Sequence, residues 1–434
     1  MVEERGASLT SSMTRIQNVA VVMARIEIWP VALLVAASVV SARALPLTLV
    51  IAGSFWLIRW LAYGRPSVHS PVDSAAALLV LMLLVTLWVT AWPETTRPQV
   101  YRLLSGIGLF YAIINWATSP TRLWMLVGGT LFAGVLLALS SPVSVLWESA
   151  DGRLPFVPGT LYVRFDALAG DRINPNVMSG ALVLLLPLAL ALPLFCWRQL
   201  SGGHRILVAL TLLILTGALM LTRSRGALSA LAAVLMVLPG LRWRFGWLLP
   251  LIVILFSVLV LASGVGVDVG TLMTSSRSGG WEERLQIWSA ARYMIQGFAF
   301  TGIGMGSFQV VAERMYPLYM TAPGIPHAHN LFLQIAVDLG IPGLIAWLAI
   351  FTLVTATLWH VFRDGRTTGN MWAAGLSSGL LCSQLALALH GMTDAVTWGM
   401  VRPAILPWAL WGLAIAAKNI YKPATASSNE HAIT

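Results

Sequence analysis

Two histidines, an asparagine and a scattered set of arginines are the residues here whose types and spacing could do chemistry. His327 and His329 lie in Pro326-His327-Ala328-His329-Asn330, where a long polar stretch closes and hydrophobic sequence resumes. Side chains two apart on an extended segment point the same way, so the two imidazoles share a face. A neutral imidazole, with an ordinary pKa of about 6.5, is suited to accept a hydroxyl proton near neutrality. A histidine at a helix start also serves as plain structure, and the local sequence leaves both readings open. Two histidines can begin a metal site, but no third ligand stands at a recognisable spacing and no Asp-x-Asp pair occurs. The expectation is therefore a site without metal. Asn330 reads as a helix-start device.

The arginines point to an anion. In Thr222-Arg223-Ser224-Arg225-Gly226 two of them sit between apolar runs, where charge is costly and usually faces a cavity or a partner. Gly226 permits close backbone approach. Arg225 opens a helix whose N-terminal dipole also favours an anion. Arg284, in Trp281-Glu282-Glu283-Arg284, and Arg164 and Arg172 further upstream are the other candidate cations. For Arg223 and Arg225 the plain alternatives are pairing with a carboxylate such as Asp166, or snorkelling; for Arg284 it is an ordinary solvated charge. Glu282 and Glu283 read as first-turn partners of a helix dipole.

These residues must be positioned by membrane helices. Of 434 residues, 58% are hydrophobic and only 10% charged, where a soluble domain carries about 25% charge. The fold class expected is an all-α integral membrane protein, one polytopic domain over 1–434. Runs long enough to cross a bilayer as helix fall near 22–41, 45–63, 73–92, 99–117, 121–140, 176–197, 205–222, 226–241, 246–264, 342–362, 371–393 and 403–420, giving about 12 transmembrane helices. The first apolar run reads as a retained span, not a cleaved leader. The net charge of +10 is almost all arginine, the only lysines being Lys418 and Lys422, and the guanidinium is the group suited to phosphate. The distribution of arginine in short loops places both termini in the cytoplasm, with a short tail at 423–434. It puts two long segments, 141–175 and 265–329, on the outer face.

In the first segment Asn176 is the expected cap of the following span. In the second, Leu285, Trp288, Tyr293 and Ile295 predict a helix lying on the membrane surface. Gly302 to Phe308 is expected to be a flexible turn between two surface helices. Cys196 and Cys382 lie in apolar runs, so no disulfide framework is indicated. The basic charge is scattered between spans, which argues against nucleic acid. Asp394, near the outer end of a span, is the residue that fits this scheme least.

Taken in order, the motifs resemble the O-antigen ligase family and the related lipid-linked polysaccharide polymerases. The resemblance rests on Ser224-Arg225-Gly226, on Arg284 with Trp288, on Gly302-x-Gly304-x-Gly306-x-Phe308, and on His329-Asn330 with Gly340 and Gly343, besides Asn174-Pro175-Asn176 at a span entrance. It covers about residues 164–345; His327 lies outside the pattern. It implies transfer of O-antigen polysaccharide from undecaprenyl pyrophosphate to lipid A–core on the periplasmic face of the bacterial inner membrane. His329 would be the catalytic base. Arg225 and Arg284 would bind the pyrophosphate, with Arg223, Arg164 or Arg172 assisting. Independently of the resemblance, His327 and Asn330 are the secondary candidates, as contacts near the base. No cofactor, nucleotide or metal is implied, and a single displacement would invert the anomeric carbon. A polymerase using the same donor, a protein O-oligosaccharyltransferase and a lipid-linked sugar transporter are the competing readings. A transporter would keep charge near mid-membrane, whereas charge here is depleted within the spans.

Overall fold

The computed structural model describes residues 15–147, 152–169, 172–262, 281–317, 324–395, 397–399 and 401–421. Among these the chain is helical, with one isolated bridge between Val145 and Ile173. In chain order the helices are α1 (Arg15–Ala24), α2 (Ile28–Val40), α3 (Leu45–Tyr63), α4 (Asp73–Val89), α5 (Pro93–Trp116), α6 (Pro120–Ser144), α7 (Gly159–Ala169) and α8 (Pro175–Cys196). They continue as α9 (Gly202–Thr222), α10 (Arg225–Arg242), α11 (Leu248–Ala262), α12 (Trp281–Gly297), α13 (Phe308–Met315), α14 (Leu331–Thr368), α15 (Met371–Gly391) and α16 (Leu406–Ile420). The expected tail at 423–434 and parts of both long outer segments, at 148–151, 170–171, 263–280 and 318–323, lie outside the described residues.

Seven helices among the described residues are long and apolar enough to cross a membrane, or eight if the pair α1 and α2, bent by 46°, is one broken span. The count of twelve is thus not reached on length and apolarity. Of the other four expected spans, α4 has 17 residues, α11 and α16 have 15 each, and α5 begins with two polar turns. The bend after α1 coincides with Glu27, which is buried and bonds to Arg59 at 3.3 Å and to Asn115. A charge there requires such partners.

Helices α8 and α15 form the centre. α8 is buried along most of its length. A Cβ at Gly379 would come within 2.9 Å of the Leu188 backbone, so only glycine lets the two helices meet this closely. The cap of α8 is Asn174, not Asn176: its side chain accepts from the Asn176 N–H at 2.8 Å, with Pro175 at the first helical position.

α14 begins at Leu331, earlier than the expected span, and is broken at Gly340 (φ 70°, ψ −179°). The turn after α12 enters this break, with Ile341 N–H donating to Ala299 O at 2.7 Å. The turn Gly302–Gly306 does lie between two helices but is packed, not loose. Its three glycines have positive φ, and a Cβ on them would strike Asp338, Thr90 and Gln99 respectively. α12 buries Ile287, Ala291 and Met294 against Phe308, Ile325 and Ala328, with Trp288 and Ile295 packed partly against the same cluster, while Leu285 stays 48% exposed.

The fully buried Asp338 ties these pieces together. It accepts from Gln334 Nε2 (2.9 Å), Trp398 Nε1 (2.8 Å) and Gly306 N–H (3.3 Å), and Gln334 in turn accepts from Ala328 N–H. Asp338→Ala leaves these donors without an acceptor, at about 1–3 kcal/mol each. The expected result is a clear drop in the thermal midpoint of the detergent-solubilised protein, followed by intrinsic fluorescence. Asp338→Asn, which keeps an acceptor oxygen, should lose less.

Candidate active site

The segment Met392-Thr393-Asp394, just past the end of α15, is where the separate motifs converge. Asn330 holds one side of it. That side chain caps α14 by accepting from Phe332 and Leu333 N–H, and its Nδ2 donates to Met392 O at 3.2 Å. Arg284, on the first turn of α12, donates through Nη1 to Thr393 O at 2.6 Å. From the third side, the first turn of α10 packs so closely that a Cβ at Gly226 would lie 2.3 Å from Thr393 Oγ1. The close approach expected of Gly226 is therefore to protein, with Arg225 presented beside it.

Asp394 faces the two histidines. Its Oδ1 lies 3.6 Å from His327 Nε2 and 3.7 Å from His329 Nδ1, and the rings are 4.2 Å apart. The His329 N–H donates to His327 Nδ1 at 3.1 Å. His327 must then carry its proton on Nε2, turned to Asp394. His329 Nδ1 is buried and has no hydrogen-bond partner among the described residues. A proton there points toward Asp394 and leaves Nε2 as the basic nitrogen. The His329 side chain is 28% exposed, against 5% for Asp394, so it is the member a substrate can reach. His329 and Arg223 are the two non-glycine residues with positive φ among the described residues, at 47° and 53°. Such backbone is costly and tends to gather at functional sites.

Burial acts to raise the Asp394 carboxyl, but His329 first and then His327 and His390 outweigh it, bringing the pKa to about 2. Burial, helped by the Arg284 charge and opposed by Asp394, holds His327 at about 4. At neutral pH the cluster is a carboxylate and a neutral His327 around His329. Both groups bind protons less readily here than in an unfolded chain, so the stability they confer is lost as pH falls from about 6.5 toward 2.

The tertiary structure also supplies the third ligand that the local sequence lacks. One donor atom each from His327, His329 and Asp394 lies within 4.8 Å of the others, a set able to hold a metal ion. The Arg284 charge, felt at His327, opposes a cation.

Arg223 caps α9 and is exposed, as is Arg225. No carboxylate among the described residues lies within 4 Å of Arg223, Arg225 or Arg284. Arg172 donates to Gly152 O at 2.8 Å and stacks over Tyr162, folded into its own segment, while Arg164 is exposed on α7. Thr393 and Asp394 were not reachable from motif spacing. The available signal was Asp394 itself, a lone acid at the end of an apolar run.

Residues 210–348 match the family model of the O-antigen ligases. No curated protein matches the chain. The O-antigen ligase match takes in the Ser224–Gly226 junction, Arg284 and both histidines, and stops short of Asp394.

Gly226→Ala tests the packing. The added Cβ must displace Thr393, a strain of about 1–3 kcal/mol at the site. Any activity that depends on this cluster should fall by about tenfold or more, and Thr393→Ala in the same chain should restore part of it.

Proposed function

We propose that this protein transfers a polysaccharide from undecaprenyl pyrophosphate to a sugar hydroxyl of lipid A–core, on the periplasmic side of the bacterial inner membrane. The observation that carries the reading is the convergence of the His329–Asp394 pair, Arg284 and the Arg225 turn on Thr393. The O-antigen ligase match over residues 210–348 supports it. The acceptor hydroxyl gives its proton to His329 Nε2 as its oxygen bonds to the anomeric carbon. The bond from that carbon to the phosphate oxygen breaks, and the electron pair leaves with the pyrophosphate. Asp394 holds the His329 ring and balances the positive charge it gains. Arg225 and Arg284 neutralise the leaving group, with Arg223 beside them. One displacement inverts the anomeric centre. The leaving group is a stable anion, so neither nucleotide nor metal has a required role. Twelve spans with both termini cytoplasmic would set this cluster and both long loops at the outer face.

The test is reconstitution of the purified protein with lipid-linked O-polysaccharide and lipid A–core. Full-length lipopolysaccharide should form without nucleotide. Product that lengthens only on the donor lipid would instead assign a polymerase. Turnover should survive treatment with EDTA. Loss on chelation, restored by a divalent ion, would reassign His327, His329 and Asp394 as metal ligands.

A further inference from the structure

α10 and α14 both begin beside the catalytic cluster, with Arg225 and Asn330, and both end far from it. α10 has 18 residues, roughly 27 Å at 1.5 Å per residue. At that far end a cavity of ≈ 340 Å³ opens between the turn after α10 and the last turns of α14. Arg244, Arg363 and Arg366 line it, together with Trp243, Trp247 and Trp359.

The chemistry of this lining is that of a lipid headgroup site. The three tryptophans are 49%, 50% and 45% exposed, each presenting an apolar ring with a polar N–H edge. Tryptophan in this setting marks the level where headgroups meet acyl chains. Arg244 lies over the Phe245 ring, and no carboxylate among the described residues comes within 4 Å of Arg244, Arg363 or Arg366. The nearest acid in sequence, Asp364, is half-buried on α14, and its backbone oxygen accepts from Thr367 and Thr368. Three cations without a carboxylate therefore border an apolar hollow at the end of membrane helices. That combination fits a phosphate with acyl chains attached better than a free anion, which would leave the tryptophan walls uncovered.

We propose that this pocket binds an anionic membrane phospholipid, the phosphodiester held by Arg244, Arg363 and Arg366 and the upper acyl chain lying against the tryptophans. The site is independent of the transfer reaction proposed above and sits at the opposite end of the helices that carry it.

The experiment uses the full chain, delipidated in detergent and examined by native mass spectrometry. It is offered dioleoylphosphatidylglycerol, dioleoylphosphatidylcholine or inorganic phosphate. Phosphatidylglycerol should be retained about tenfold better than phosphatidylcholine, and inorganic phosphate at the same concentration should not displace it. Replacing all three arginines (R244Q, R363Q and R366Q) should weaken phosphatidylglycerol binding by about tenfold or more. Should that variant not fold, Arg366→Gln alone and added salt on the unaltered protein give the same reading, each lowering retention. Equal retention of the two lipids, retention unaffected by the arginine changes and salt, or displacement by phosphate overturns the proposal.

Discussion

Replacing His329 should sharply slow the proposed glycan transfer while the protein stays folded. The expected loss is about 10²- to 10⁴-fold, the range for removing a general base. The substitution should be chosen for the backbone as well as the ring. His329 has φ 47°, a region asparagine tolerates better than alanine. His329→Asn therefore isolates the chemistry, and the thermal midpoint should change little. His327→Gln supplies the contrast. Its ring is buried and already committed on both nitrogens, to His329 N–H and to Asp394. It should keep most of the activity, losing only what looser packing of His329 costs. Asp394→Asn should lie between the two. The ring of His329 stays in place, but the charge that stabilises its protonated form is gone. The rate of lipopolysaccharide formation from purified components reads all three. Unchanged transfer in a folded His329→Asn protein would sink the base assignment.

Arg284→Ala and Arg225→Ala should each slow donor turnover by about 10²- to 10³-fold, the usual effect of removing one cation or donor from a developing oxyanion. Their failures should differ. Arg284 also donates to Thr393 O, so its loss frees the segment that carries Asp394 and compromises the base as well. Arg225 is exposed and makes no comparable contact to that segment, so its loss should act on the donor alone. The Arg284→Ala effect should therefore be the larger, and combining Arg284→Ala with Asp394→Asn should cost less than the sum of the two singles. Release of undecaprenyl pyrophosphate measures this directly. Normal donor turnover in both single variants would count against the pyrophosphate clamp.

By composition and spacing alone, the chain's hydrophobicity and scarcity of charge determined the all-helical membrane class. The helix-start role of Asn330 was legible because capping depends on residues near in sequence. The same local signals placed α12 and α13 as helices flanking a glycine turn. They did not foresee that α12 also buries Ile287, Ala291 and Met294, because which side is buried depends on what packs against it. They also missed the rigidity of the Gly302–Gly306 turn, which comes from Asp338, Thr90 and Gln99 on other helices. Only the tertiary structure brought Asp394 to the histidines and Thr393 to Arg284 and Gly226. Those partners are separated by 65 and 67 residues in the first case and more than 100 in the second, and no spacing rule reaches across intervening helices. The chain thus announces its chemical groups in short local motifs. The Asp394 carboxylate beside His329, and the Thr393 backbone that anchors Arg284, come together only because α15 returns its end to the same face.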